Sequence, residues 1–158
     1  MSVIDIELAM KHLRAESEDQ DLVQSQLDGA EAAAMAYLNR SFFVDQAALD
    51  LAKATTVQRT QAARAVYRAA LAQADALENT EDRCRLRERA REVLAQTFET
   101  IDMDEFGMVT NKAIEAACLL KLGHLYANRE EVVTGTTAAE LPLSSKSLLA
   151  PYRIGMGV

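Results

Sequence analysis

Tryptophan is absent and aromatic residues make up only 5% of the chain, so a core built from it cannot lean on large rings. Two prolines and six glycines in 158 residues leave few points where a helix must stop. Cysteine occurs twice, as Cys84 and Cys118. That is too few for the disulfide framework of a small secreted fold, and two reduced thiols are expected. The two histidines, His12 and His124, do not join the cysteines in any cluster with metal-ligand spacing. The glycines form no phosphate-binding loop, and there is no Gly-x-Ser-x-Gly elbow. No apolar run approaches the ~20 residues that span a membrane. The opening Met1-Ser2-Val3-Ile4-Asp5 lacks the basic and then apolar stretch of a signal peptide. The expectation is a soluble protein made in the cytoplasm, without cofactor, metal or enzymatic activity.

Alanine fills the space the aromatics leave, most densely over 30–36 and 62–76. It is the best helix former and adds little volume. Such a sequence builds closely approaching helices with thin interfaces, and leaves room for partner chains to add stability. Net charge is −7, unevenly spread. Residues 1–50 hold ten Asp/Glu against three Lys/Arg, residues 51–100 seven against nine, and residues 101–158 seven against five. A protein that grips DNA phosphates wants a basic face, and this acidic first third does not supply one.

Apolar residues recur at helical spacing through most of the chain. Asp5 caps a short first helix carrying Ile6, Met10 and Leu13. Long helices are predicted over 20–39, 57–77, 81–101 and 111–130, with caps at Asp19, Thr56, Thr80 and Thr110. Phe42-Phe43-Val44 reads as a strand or a buried loop, and Leu143–Ala150 as at most a short helix stopped by Pro151. The two middle helices match in length across a short turn, which predicts an antiparallel hairpin. The fold class is therefore all-α: a helical bundle of about four long helices with short helices at the ends. One domain over 1–158 is expected, with 45–107 as a helical-hairpin insertion.

Two features invite a chemical reading. Asp102-Met103-Asp104-Glu105-Phe106-Gly107 has the look of a calcium loop but lacks the ligand spacing and closing Glu, so an acidic helix end is expected. Arg83, Arg85, Arg87, Arg89 and Arg91 alternate, and alternate positions spread around a helix instead of lining one face. Five acids share the window 78–92. A salt-laced surface helix, with Glu81–Arg85 as an i,i+4 pair, fits better than a nucleic-acid site.

The two ends carry a resemblance. Ile6-Glu7-Leu8-Ala9-Met10-Lys11-His12-Leu13-Arg14 leads through an acidic stretch to a helix ending Tyr37-Leu38-Asn39-Arg40. Toward the other end a helix begins Lys112-Ala113-Ile114 and closes Leu125-Tyr126-Ala127-Asn128-Arg129-Glu130. Leu141-Pro142 and Leu148-Leu149-Ala150-Pro151-Tyr152-Arg153 follow. In this order the segments 4–44 and 110–153 resemble the head–tail connector (head-completion or adaptor) family of tailed bacteriophages. The resemblance implies a non-catalytic structural subunit of the virion. It would form a cyclic homo-oligomer, an oligomeric ring beneath the portal protein, added after DNA packaging. DNA would pass through the ring without sequence-specific binding, and a tail or head-completion protein would dock below. It further implies assembly in the host cytoplasm and final residence at the head–tail junction. The rival is a generic cytosolic helical adaptor or regulatory protein unrelated to virions.

Residues 141–153 are too short for a helix stable alone, yet hold Leu141, Leu143, Leu148, Leu149 and Tyr152. The expectation is that this segment binds a neighbouring subunit or the portal. Leu141, Leu148, Leu149, Tyr152 and Arg153, with Tyr126 and Arg129 on the preceding helix, are the interface candidates. The competing expectation is that it folds back on helix 111–130.

Overall fold

A computed structural model describes residues 2–128 and 145–155. The protein is all-α, with six α-helices and one two-residue strand pair among the described residues. Contacts divide the chain into two compact units, Met1–Asp45 with Met108–Val158, and Gln46–Gly107. The four long helices fall two to each unit.

In the terminal unit, α1 (Ile6–Leu13) starts where the Asp5 carboxylate accepts the Glu7 N–H at 3.0 Å. It stops at Arg14, whose left-handed backbone turns the chain out of the helix. A single 3-10 turn (Ser17–Asp19) leads into α2 (Gln20–Leu38). Of the stripe expected from the spacing, Val23, Leu27, Ala30, Ala34 and Leu38 lie buried along α2, Tyr37 is half-buried and Leu22 is exposed. Asn39, also left-handed, ends that helix. On the other side of the core, α5 (Lys112–Ala127) buries Ile114, Ala117, Cys118, Leu119 and Leu122. The small α6 (Ser145–Leu149) and a 3-10 turn (Ala150–Tyr152) pack against α5 and α2.

Phe42-Phe43 resolves as strand β1, paired in parallel with β2 (Met108–Val109). Met108 N–H donates to the Ser41 carbonyl and Thr110 N–H to the Phe43 carbonyl. This pair ties the point where the chain leaves the terminal unit to the point where it returns, so 46–107 closes as a loop with neighbouring ends.

The intervening unit is a hairpin of α3 (Gln46–Asp75) and α4 (Thr80–Glu105). Arg59 meets Asp104 at 2.6 Å and Arg87 meets Asp75, so the helices run antiparallel. Their 30 and 26 residues reach about 45 and 39 Å.

Several boundaries differ from expectation for identifiable reasons. The helix expected from 57 begins at Gln46, and Thr56 is not a cap. Its hydroxyl donates back to the Lys53 carbonyl at 2.9 Å, and that of Thr55 to Ala52 at 2.8 Å, both inside a continuing helix. Asn79 caps α4 in place of Thr80, its Oδ1 accepting from the Glu81 and Asp82 N–H groups. Asn111 caps α5 in place of Thr110, accepting from Ala113 and Ile114 at 3.0 Å. Asp19 makes no cap bond. Residues 102–105 are the last turn of α4, the acidic helix end expected there, four residues beyond the predicted stop at 101. The acidic end sits badly with the helix dipole, and Arg59 compensates it at Asp104. The expected end of α5 at Glu130 lies outside the described residues, the described helix ending at Ala127.

Candidate interaction site

The residues singled out at the C-terminal end meet the end of α2. Leu149 is 4% exposed, and Leu148 and Tyr152 are half-buried against the same core. Beyond them the backbone is held by hydrogen bonds. Ile154 N–H donates to the Leu38 carbonyl at 3.2 Å, and the Asn39 amide donates to the Ile154 carbonyl at 2.9 Å. Arg40 donates to the Tyr152 carbonyl at 3.3 Å. The Arg153 guanidinium lies over the Tyr37 ring, 5.0 Å from its centroid, within cation–π range. Gly155 follows at φ +65°, where an added Cβ would press on the Asn39 amide at 3.4 Å. Residues 37–40 and 152–155, more than a hundred residues apart in sequence, thus form one clasp.

This corrects the expectation that the segment leaves its own core for a partner. The described part, 145–155, folds back on α5 and α2. Leu149 is buried and Leu148 half-buried where they stand because α2 and α5 already present the apolar surface they need. Tyr126 is also used internally, its hydroxyl donating to the Asp19 carboxylate at 2.7 Å. That bond occupies the side chain expected to cap α2. Of the described candidates Arg153 alone stays exposed. Leu141 and Arg129 lie outside the described residues.

One buried charge escaped the sequence reading. Glu31 is 3% exposed within the alanine stripe of α2. Its carboxylate accepts the Val3 N–H at 2.9 Å and the Ile4 N–H at 2.8 Å, fastening the N-terminal segment before α1. Burial raises its pKa above the usual carboxylate value, and the two backbone donors oppose that shift. The signal was available: Glu31 stands one turn from Leu27 in the buried register.

Among the described residues the other titratable candidates stand apart from one another. Cys118 is buried, and loss of hydration pushes its thiol up to about 12, so it stays protonated at neutral pH. Cys84 is exposed, and both are free thiols. His124 contacts the Asn128 amide at 3.2 Å. No group of three His, Cys, Asp or Glu side chains among the described residues could hold a metal ion. The arginine run is laced into its own helix and hairpin. Arg91 pairs with Glu88 at 3.3 Å, and Arg89 with Glu92 at 3.9 Å. These are i,i+3 pairs, where Glu81–Arg85 had been expected. No described helix is long and apolar enough to cross a membrane.

No protein-family model, curated protein or solved structure matches the chain.

Proposed function

We propose that the protein is a structural subunit of a tailed-phage head–tail connector, forming a cyclic ring that extends the DNA channel below the portal. The observation that carries this reading is the clasp. The opening segment ending Tyr37-Leu38-Asn39-Arg40 and the closing Pro151-Tyr152-Arg153 are the two parts of the sequence that carry the resemblance. They are bonded to each other at Arg40–Tyr152 and stacked at Arg153–Tyr37. The two matched segments, 4–44 and 110–153, also belong to the same compact unit.

The acidic first third suits a surface past which DNA moves without sticking. The exposed Arg153 is the anchor this reading assigns to a neighbouring subunit or the portal, presented by Tyr37 from below. The test is reconstitution with the portal protein of the same genome, followed by light scattering and electron microscopy. A ring of this chain seated on the portal is expected. A chain that stays monomeric and ignores the portal would favour the adaptor reading.

A further inference from the structure

The hairpin carries an apolar groove of about 410 Å³ along one side. Ala62, Val66 and Ala70 of α3 form one wall, and Leu86, Val93 and Ile101 of α4 the other. Val66 is 63% exposed and Val93 39%. Single exposed apolar residues are ordinary, but a continuous apolar trough marks a surface that something covers. Burial within the hairpin is correspondingly thin. Leu49, Thr56, Ala74, Ala90 and Ile101 are its buried residues, three of them small.

We propose that this groove receives the same groove of a second copy of the chain. The two hairpins lie antiparallel about a twofold axis, with their tips pointing in opposite directions, and together make a four-helix bundle. Two helices have no third layer to cover their shared face, and a second hairpin supplies it in the commonest helical architecture.

Charge selects this occupant and this arrangement. Arg89 lines the groove at the middle of α4, and Glu92 follows it three residues on, outside the lining, with side chains 73% and 55% exposed. Within the helix they are only 3.9 Å apart at closest, a weak pair. A twofold axis passing between them sets Arg89 of each copy beside Glu92 of the other, so one contact becomes two across the interface. On α3 the lining is Ala62, Ala63, Val66, Tyr67 and Ala70 with Arg59, whose charge is paired with Asp104, so no unpaired like charge meets its symmetry mate there. Net charge does not oppose the pairing either. Residues 46–107 hold eleven Asp/Glu and nine Lys/Arg, so most of the chain's −7 lies elsewhere.

The size of the face sets the strength. Its lining runs about 20 Å along the helices, and two helices side by side make it roughly 20 Å wide. That gives about 400 Å² per copy, half of the ~800 Å² per partner in a standard interface. The contact is therefore weak and exchanging in the isolated protein, and a covalent trap is the suitable probe.

The full chain with Cys84→Ser leaves Cys118 as its one native thiol, and that one is buried. Val66→Cys in this background places a thiol on the groove face that the two copies share. Val57→Cys is the control: Val57 is 67% exposed, as free as Val66, but half a turn round α3. Under mild oxidation at high protein concentration, Val66→Cys should form a covalent dimer at least about tenfold faster than Val57→Cys, because docking raises the local thiol concentration. Arg89→Glu should slow the trap, and Arg89→Glu with Glu92→Arg should restore it. Equal rates for the two cysteines, or no rescue by the double swap, would overturn the proposal. It does not rest on the connector reading, because the trap reads the isolated chain.

Discussion

The two units use the same helix-forming alphabet and reach different kinds of interior. In the terminal unit Leu27, Leu38, Ile114, Leu122, Val23 and Cys118 are fully buried, and side chains from four helices enclose them. In the hairpin the largest buried side chains are Leu49 and Ile101, and the others are Thr56, Ala74 and Ala90. The difference lies in layers as well as in composition, since α4 is rich in Arg and Glu and the terminal helices are not. Val57, Val66, Val93 and Leu51 are as apolar as anything in the terminal core, yet all are exposed. An apolar stripe becomes a core only when another element covers it, and a two-helix arm has nothing left to do so.

The sharpest test of that contrast removes the cover from the terminal unit. Truncation after Glu140 takes away Leu148, Leu149, Tyr152 and the clasp on α2. It should lower stability by roughly 3–5 kcal/mol in urea unfolding, the range for losing large buried side chains. Retention of full stability would return the segment to the role of a partner-binding tail. Next in size, Leu27→Ala or Leu122→Ala should cost about 3 kcal/mol, whereas Val66→Ala in the hairpin should cost under about 1 kcal/mol. Comparable losses at the three positions would mean that the hairpin groove is a core like the other.

Glu31 sharpens the comparison from the polar side, since no charge is buried in the hairpin in this way. Its folded pKa is raised, so the folded state binds its proton more tightly than the unfolded chain does. The stabilisation this brings is complete below the ordinary glutamate range and is lost as pH rises through the folded value. Wild type should therefore gain stability relative to Glu31→Gln as pH falls from neutral toward that range. Urea titrations of both proteins across this window check the sign, and a gain in the opposite direction would show that the Val3 and Ile4 donors outweigh burial.

What the sequence disclosed follows the same division. Helix existence was legible because apolar residues repeat at helical spacing, and the terminal stripe Val23, Leu27, Ala30, Ala34 and Leu38 is buried where the pattern put it. The sequence also said that Leu148, Leu149 and Tyr152 need covering. It did not say by what, because the covering surface is assembled from α2 and α5, more than seventy residues apart. The long start of α3 was hidden by Thr55 and Thr56, which look like helix punctuation but bond their own helix instead. The register of Glu31 was legible one turn from Leu27, but its partners were not: a carboxylate there makes sense only once Val3 and Ile4 come back to meet it.

The smallest expected effect concerns the caps, where the reading missed by one residue at two places. Asn79-Thr80 and Asn111 after Thr110 each offer two side chains able to accept from the first free N–H groups of a helix. Asn ranks above Thr as a cap because its carbonyl oxygen reaches two donors without the β-branch that restricts Thr. The bonds observed run to Asn79 and Asn111. Asn111→Ala should thus cost about 1 kcal/mol and Thr110→Ala a few tenths at most. Asn79→Ala should cost less than Asn111→Ala in global unfolding, because the Asn79 cap lies at the exposed hairpin turn, where a frayed first turn uncovers little apolar surface. Amide hydrogen exchange reads the difference locally. Asn79→Ala should speed exchange at Glu81 and Asp82 while leaving Ile114 unchanged, and Asn111→Ala should do the reverse. Faster exchange at both helix starts in either variant would show that the two units open together.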